Sequence, residues 1–279
     1  MTLPQYLIQL GRESEQNATW VNSLPDQIQR IAEDWTLQLG VPYLENASCS
    51  YVVSCMTETG EEAVLKIGLP HFEALHEIEG LRLLQGHPTV RLLRFDKTAN
   101  AMLLEKCSPG ISLKSLPLAE QDVIICELLK EIWKAKAPVG AIRPLVEMVT
   151  LWNKETYQAI DRYPNPNLAR QGCRLKEQLI ESTTAAVLLA TDLHAGNVLR
   201  AKRRPWLVID IKPFIGDPAY DLTQHLLNSL ESLQEDPVGR IAGLAKQANV
   251  SSSRLRDWLF TRLASEFGGR HQGLARALR

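Results

Sequence analysis

The sequence is poor in several features that mark particular classes of protein. Its five cysteines in 279 residues include no C-x-x-C pair, so reduced thiols in the cytoplasm are expected rather than a disulfide framework. No stretch approaches the roughly 18 consecutive apolar residues that a membrane-spanning helix needs. The N-terminus also lacks a basic start that leads into an apolar run, so no export signal is predicted.

An excess of charge of one sign is also missing. The chain has 31 basic and 32 acidic residues, for a formal net charge of −1. We therefore expect no nucleic-acid partner and no membrane partner. With 45% hydrophobic residues, the chain can bury one sizeable core or two smaller ones. The oligomeric state does not follow from these numbers.

The most informative stretch is a polar loop between two apolar segments near residues 185–221. Asp192, His194 and Asn197 lie in the loop, and Asp210 follows the second apolar segment. Phosphoryl transfer needs a carboxylate that orients a hydroxyl and takes its proton, which is a role that suits Asp192. It also needs oxygen ligands for Mg²⁺, which Asn197 and Asp210 can supply. His194 is better placed to hold the shape of the loop.

The region before this stretch has the pattern of a small sheet. Residues 50–57 and 61–68 are rich in β-branched and apolar residues and flank a turn that contains Gly60, which predicts a hairpin. Residues 90–96 and 101–107 predict two more strands. Lys66, near the end of the second strand, has the position of a lysine that binds ATP phosphates.

Helices are predicted on both sides of these strands. Apolar spacing predicts helices over 23–40, with Ser23 as N-cap, and over 71–86. Residues 118–183 are also predicted to be predominantly helical. The intervening loop 44–50 is small and polar but contains no glycine, so it is only a weak match to a phosphate-covering loop.

These motifs resemble a known family. The segments TDLHAGNVL and WLVIDIKPFIGDPAYD are similar to the catalytic and metal-binding segments of aminoglycoside phosphotransferases, a branch of the protein-kinase-like superfamily. Within that family, the resemblance is to the group of streptomycin 6-phosphotransferases and hydroxyurea phosphotransferases. The wider family carries His-Gly before the catalytic Asp, where this chain has Ala190 and Thr191.

The resemblance implies an α+β, bilobal protein-kinase-like fold. A small N-terminal antiparallel sheet with one helix, in a lobe of residues 1–107 that also includes an N-terminal helical arm, would bind the nucleotide. A larger and mostly helical lobe, residues 108–279, would carry the catalytic and substrate-binding groups. The implied cofactors are ATP and Mg²⁺, and the implied acceptor is a small molecule: streptomycin at its 6-hydroxyl first, and hydroxyurea or an endogenous amino-alcohol or sugar as alternatives.

The resemblance also implies roles for individual residues. Asp192 would be the catalytic base, and Asn197 and Asp210 would hold the metal. Glu77, with Glu79 as the alternative, would pair with Lys66. Two further residues, Glu105 and Cys107, would bind adenine through their backbone groups.

Other interpretations stay open at this stage. Asp192, His194 and Asp210 could be ligands in a metal-dependent hydrolase, or the chain could be a kinase-like binding module without activity. Asp217 is a candidate contact of the metal's outer shell or of a substrate amine. Asp221 is instead interpreted as a helix cap or as an anchor for the catalytic loop.

Overall fold

The chain is rich in strands before residue 111 and rich in helices after it. The computed structural model describes residues 3–44 and 49–279. In chain order the strands are β1 Gln38–Pro42, β2 Ser50–Met56, β3 Glu62–Gly68, β4 Leu92–Asp96, β5 Ala101–Glu105, β6 Val187–Leu189, β7 Val198–Arg200, β8 Trp206–Val208 and β9 Phe214–Gly216. The helices are α1 Gln5–Leu10, α2 Glu15–Asp34, α3 Glu77–Leu84, α4 Leu118–Trp133, α5 Leu145–Gln158, α6 Pro166–Glu181, α7 Pro218–Leu227, α8 Leu230–Glu235, α9 Pro237–Ala248, α10 Ser252–Ser265 and α11 Gln272–Ala277.

Two compact units divide the chain. The first consists of residues 1–111 and 199–209, and the second of residues 112–198 and 210–279. The predicted lobes, 1–107 and 108–279, stay a prediction. In the observed division the segment 199–209 groups with the earlier part of the chain, whereas the predicted lobes place it in the later part.

The first unit is built on an antiparallel sheet. Among the described residues, five strands pair in the order β1-β2-β3-β5-β4. The hairpin of β2 and β3 confirms the prediction, and its turn residue Gly60 has a φ of +80°, which glycine adopts without steric cost. One face of the sheet packs with α1 and α2 in an apolar core.

The helix predicted over 23–40 is displaced from its predicted position. α2 begins at Glu15, where the Ser14 hydroxyl accepts a hydrogen bond from the Asn17 N–H at 3.1 Å. Ser23 is not a cap, because its hydroxyl donates to the Trp20 carbonyl within the helix. Pro25 lies inside the helix. An apolar stripe that runs through both halves of α2 explains the continuity: Trp20, Val21, Leu24, Ile28 and Ile31 are buried.

The helix predicted over 71–86 is also shorter than expected. Only α3, residues 77–84, is an α-helix, and a 3-10 turn at Phe72–Ala74 precedes it. Leu75, between the 3-10 turn and α3, is 55% exposed. The predicted phosphate-covering loop, 44–50, lies largely outside the described residues.

The second unit is mainly helical, as residues 118–183 predict. α10 packs against α6, α7, α9 and α11 and contributes buried aromatic residues such as Trp258 and Phe260. β6 pairs with β9 in an antiparallel arrangement, next to the loop that holds Asp192. No helix within residues 3–44 and 49–279 is long and apolar enough to cross a bilayer.

Candidate functional site

Backbone and side-chain hydrogen bonds both fold the loop that follows β6. The Asp192 N–H donates to the Ala190 carbonyl at 2.7 Å, and the Asn197 N–H donates to the His194 carbonyl at 2.9 Å. The Asn197 side-chain amide donates to the Asp192 carbonyl at 3.0 Å. Thr191 has a φ of +50°, a left-handed conformation that is uncommon for a residue with a branched Cβ.

Asp221 anchors the start of this loop. Its carboxylate is fully buried and accepts hydrogen bonds from the backbone N–H groups of Ala190 and Thr191, at 2.7 to 3.1 Å. The indole N–H of Trp133 donates to it at 2.9 Å. Burial raises the pKa of Asp221 to about 6, although these hydrogen bonds oppose the shift. The interpretation of Asp221 as a loop anchor is confirmed.

Both carboxylate oxygens of Asp192 have partners. Lys212 Nζ lies 2.7 Å from Oδ2, and the side-chain amide of Gln224 donates to Oδ1 at 2.8 Å. The segment that carries Lys212 is tied to the loop, since the Lys212 N–H donates to the Ala190 carbonyl at 2.9 Å. The Thr191 hydroxyl donates in turn to the Lys212 carbonyl at 2.5 Å. Asp192 is therefore held at both carboxylate oxygens, on a loop that is hydrogen-bonded to the segment of Lys212.

Asn197 and Asp210 have the chemistry of a magnesium site. The side-chain amide nitrogen of Asn197 donates a hydrogen bond to the Asp192 carbonyl. The side-chain oxygen of Asn197 is therefore the atom that can act as a metal ligand. Asp210, just after β8, has a φ of +56°, and such backbone conformations cluster at functional sites. Mg²⁺ is commonly held by one or two protein oxygens together with substrate phosphates, so this small ligand set fits it.

A hydrolase site with three protein ligands is not supported. Among the residues that the structure describes, no three or more His, Cys, Asp or Glu side chains are grouped to hold a metal ion. His194 Nδ1 accepts a hydrogen bond from the Gly196 N–H at 3.0 Å, which agrees with a role in shaping the loop. Burial lowers the pKa of His194, while the carboxylates of Asp192 and Asp210 act in the opposite direction.

In the first unit, Lys66 and Glu77 form a buried ion pair. Lys66 lies on β3, and Glu77 is the first residue of α3. Lys66 Nζ donates to both carboxylate oxygens of Glu77, at 2.7 and 2.9 Å. The two residues are 7% and 3% exposed. Glu79, the alternative partner, pairs with Lys97 instead.

Glu105 ends β5 and is tied to two other segments of the first unit. Its carboxylate accepts from the Arg203 guanidinium, with Nη2 at 2.8 Å from Oε2, and its backbone N–H donates to the Arg91 carbonyl. Burial raises the pKa of Glu105, but hydrogen bonds from Arg203 and Arg91 outweigh this and leave it lowered. Burial also raises the pKa of the Cys107 thiol, to about 11. Adenine binding by these two residues stays a prediction.

Asp217 has a structural role that differs from both roles considered for it. Its buried carboxylate caps α7 by accepting from the Ala219 N–H at 3.0 Å, and it also accepts from the indole N–H of Trp258 at 2.7 Å. Arg254 completes the set of donors. With these partners, Asp217 holds α7 against α10 rather than facing a metal or a substrate amine.

Sequence reasoning missed Lys212, Gln224 and Arg203. Lys212 follows Asp210 by two residues, and its charge next to a catalytic segment was an available indication. Gln224 and Arg203 carried no such indication, because their partners lie 32 and 98 residues away in sequence.

A five-stranded antiparallel sheet followed by a mainly helical unit is the architecture of a protein-kinase-like fold. Comparisons with known proteins agree. The choline kinase LicA from Streptococcus pneumoniae superposes with a TM-score of 0.66 at 17% identity, over 91% of this chain and 99% of that one. At this identity the likeness shows the fold.

Sequence comparison gives the family. Residues 34–269 match the family described as aminoglycoside/hydroxyurea antibiotic resistance kinase, and the chain belongs to this family. The streptomycin 6-kinase of Streptomyces griseus is 31% identical over 226 residues, which are 79% of this chain and 72% of that protein. The hydroxyurea phosphotransferase of Kitasatospora aureofaciens is 29% identical over 264 residues, 92% of this chain and 76% of that protein. The chain is thus a phosphotransferase of the aminoglycoside kinase type, with a hydroxyl group as acceptor, and its kinase relatives imply the use of ATP.

Proposed function

We propose that this protein transfers the γ-phosphate of ATP to the 6-hydroxyl of streptomycin and thereby confers resistance to the antibiotic. The observation that carries the proposal is the fixed carboxylate of Asp192 on a loop that also presents Asn197. The acceptor is proposed from the relatives: streptomycin 6-kinases of two Streptomyces species match 89% and 79% of this chain.

Asp192 is the proposed general base. A carboxylate within hydrogen-bond reach of a hydroxyl can orient it and accept its proton as the oxygen attacks phosphorus. The anchoring of its loop by Asp221 supports this role, since a base must be held in place to act on a bound acceptor. Lys212, which contacts the same carboxylate, is a cation suited to the negative charge of the transferring phosphoryl group.

Asn197 and Asp210 are the proposed ligands of Mg²⁺, which would neutralise charge on the transferring phosphoryl group. Lys66, oriented by Glu77, is proposed to bind the α- and β-phosphates of ATP. The bidentate contact between their side chains supports this proposal, because it fixes the direction of the lysine ammonium. Backbone groups of Glu105 and Cys107 are proposed to bind adenine.

Hydroxyurea is the second candidate acceptor. The hydroxyurea phosphotransferase relative covers more of this chain than either streptomycin 6-kinase. Both acceptors present a hydroxyl group to the base, so the same residues serve either reaction.

The test is an acceptor panel in a coupled assay of ADP release with ATP and Mg²⁺. The panel contains streptomycin, hydroxyurea, other aminoglycosides, choline and a simple sugar, and the position of phosphate on each product is determined by NMR. We expect streptomycin to give the highest kcat/KM, with phosphate on its 6-oxygen. A higher kcat/KM for hydroxyurea would move the assignment to that acceptor. If neither streptomycin nor hydroxyurea is turned over, the proposed function is refuted.

A further inference from the structure

Gln224 on α7 lies between two groups of opposite charge. Its amide nitrogen donates to Asp192 Oδ1 at 2.8 Å. Its amide oxygen accepts from Arg262 Nη1 at 3.0 Å. Arg262 is on α10 and is 5% exposed. A short chain of hydrogen bonds therefore runs from a buried arginine to the carboxylate of the proposed base.

The direction of the Gln224 amide is set by its two neighbours. A guanidinium group can only donate hydrogen bonds, so the amide oxygen must face Arg262. An ionised carboxylate can only accept, so the amide nitrogen must face Asp192. The reverse orientation would place two donors against each other and two acceptors against each other.

Arg262 is itself held from several sides. Its Nε donates to Glu266 at 2.9 Å, and its Nη1 donates to the Thr223 hydroxyl at 2.9 Å. The guanidinium also lies over the ring of Tyr220, 5.2 Å from its centroid, in a cation–π contact. Because these contacts are buried, the Arg262 guanidinium keeps one position. Its hydrogen bond to the Gln224 amide oxygen therefore also fixes the position of that amide.

We propose that Gln224 is a positioning residue that orients Asp192 for phosphoryl transfer, with Arg262 fixing its amide. Gln224 contacts Oδ1 and Lys212 contacts Oδ2. The Asp192 carboxylate is therefore fixed at one rotation angle about its Cβ–Cγ bond. This inference rests on the proposed role of Asp192 as the base. Gln224 would thus affect catalysis through its contact with Asp192 and not through a contact with substrate or metal.

The decisive variant is Gln224→Glu. The new carboxylate has nearly the same shape and still accepts from Arg262, but it cannot donate to Asp192 and repels it. We expect kcat to fall about 10- to 100-fold, as for a displaced catalytic group, while KM for ATP changes less than about twofold, since no ATP contact is altered. Gln224→Met, which removes both hydrogen bonds without adding charge, should lower kcat in the same direction.

Thr261→Val is the matched control. It removes a buried hydrogen bond to the Trp258 carbonyl on the helix that carries Arg262. It leaves unchanged the contacts described above for Arg262, Gln224 and Asp192. It should lower the melting temperature while kcat stays near that of the wild type. If kcat instead follows the melting temperature across all three variants, Gln224 has only a structural role and the proposal is wrong.

Two further measurements separate this proposal from the proposed function. If Asp192→Asn is inactive while both Gln224 variants turn over at the wild-type rate, the positioning role is refuted and the base stands. If Asp192→Asn is active, the base itself is misassigned and the positioning role fails with it. A crystal structure of Gln224→Glu gives a readout that needs no acceptor: the Asp192 carboxylate should be rotated from its wild-type position, and an unmoved carboxylate would contradict the proposal.

Discussion

Two charged groups of the proposed phosphotransfer chemistry are held in different ways. Lys66, in the first unit, is held by Glu77, 11 residues later in sequence, through two hydrogen bonds between buried side chains. Asp192, in the second unit, is held by Lys212 and Gln224, and its loop by Asp221. The partners of Asp192 and its loop lie 20 to 32 residues away in sequence.

The two groups differ in what we expect to change first when a partner is removed: stability at the pair of Lys66 and Glu77, and the position of the carboxylate at Asp192. A buried pair leaves an uncompensated charge when one member is removed, so its loss acts first on stability. A partly buried carboxylate with several partners, such as Asp192, keeps some of them when one is lost, so the loss of one partner acts first on geometry.

The largest expected effect is on the buried pair. Lys66→Met removes the ammonium group that donates to both Glu77 carboxylate oxygens and should reduce the free energy of unfolding by about 3–5 kcal/mol. The double variant Lys66→Met/Glu77→Met removes both charges and should recover most of that loss, because well-packed apolar residues can replace a buried ion pair. Urea unfolding measures the stability, and the coupled assay measures turnover.

Activity is the control for this pair. Turnover should remain low in the double variant, because the proposed contact with the ATP phosphates is still missing. A double variant as unstable as Lys66→Met would show that the pair contributes through packing rather than charge. A double variant with wild-type turnover would remove Lys66 from the proposed site.

A smaller effect is expected at the loop anchor. Asp221→Asn leaves one acceptor oxygen for three buried donors, the backbone N–H groups of Ala190 and Thr191 and the indole N–H of Trp133, and turns an amide N–H₂ toward at least one of them. We expect about 2–3 kcal/mol less stability and a kcat lower by roughly tenfold, because the loop that carries Asp192 shifts.

Trp133→Phe is the matched control for the anchor. It removes the indole donor to the same carboxylate but keeps both backbone contacts of the loop. Stability should fall, with kcat near the wild-type value. Equal losses of kcat in Trp133→Phe and Asp221→Asn would mean that loop geometry does not depend on the backbone contacts.

The smallest expected effect is a pH dependence at Asp122, a buried carboxylate of α4. Burial raises its pKa, but hydrogen bonds from His225 and Arg240 outweigh this and leave the pKa below its ordinary value. A lowered pKa in the folded state means that the stabilisation is complete above the unfolded-state pKa and is lost as pH falls through the folded-state pKa.

The comparison is with Asp122→Asn. The wild type should exceed this variant by about 1.5 kcal/mol at pH 5 to 7, and the difference should shrink below about pH 4. Denaturant unfolding of both proteins at several pH values measures it. A difference that stays constant down to pH 3 would contradict the assigned interactions.

Local sequence patterns predicted much of the fold. The alternation in β2 and β3 and the helical spacing after residue 118 both identified the elements that form. The start of α2 was missed because Pro25 and Ser23 resemble a helix N-terminus, whereas the buried stripe from Trp20 to Ile31 carries the helix through them. Tertiary packing here overrides a local capping pattern.

The candidate site was predictable where its residues are close in sequence. Asp192, Asn197 and Asp210 lie within 19 positions, and the ion pair of Lys66 and Glu77 spans 11. Gln224, Arg262 and Arg203 could not be found this way, because glutamine and arginine are ordinary surface residues until the fold brings them to their partners. For the same reason Asp217 was a candidate contact of the metal's outer shell or of a substrate amine, whereas three donors from α7 and α10 hold its carboxylate within the structure.

Asp192 is proposed to act as the general base in phosphoryl transfer to a hydroxyl acceptor. The variant Asp192→Ala tests this role most directly. In the coupled assay with ATP, Mg²⁺ and streptomycin, we expect kcat to fall by about 10³-fold or more, within the range for loss of a general base, while ATP still binds. Turnover by Asp192→Ala at the wild-type rate would contradict the account.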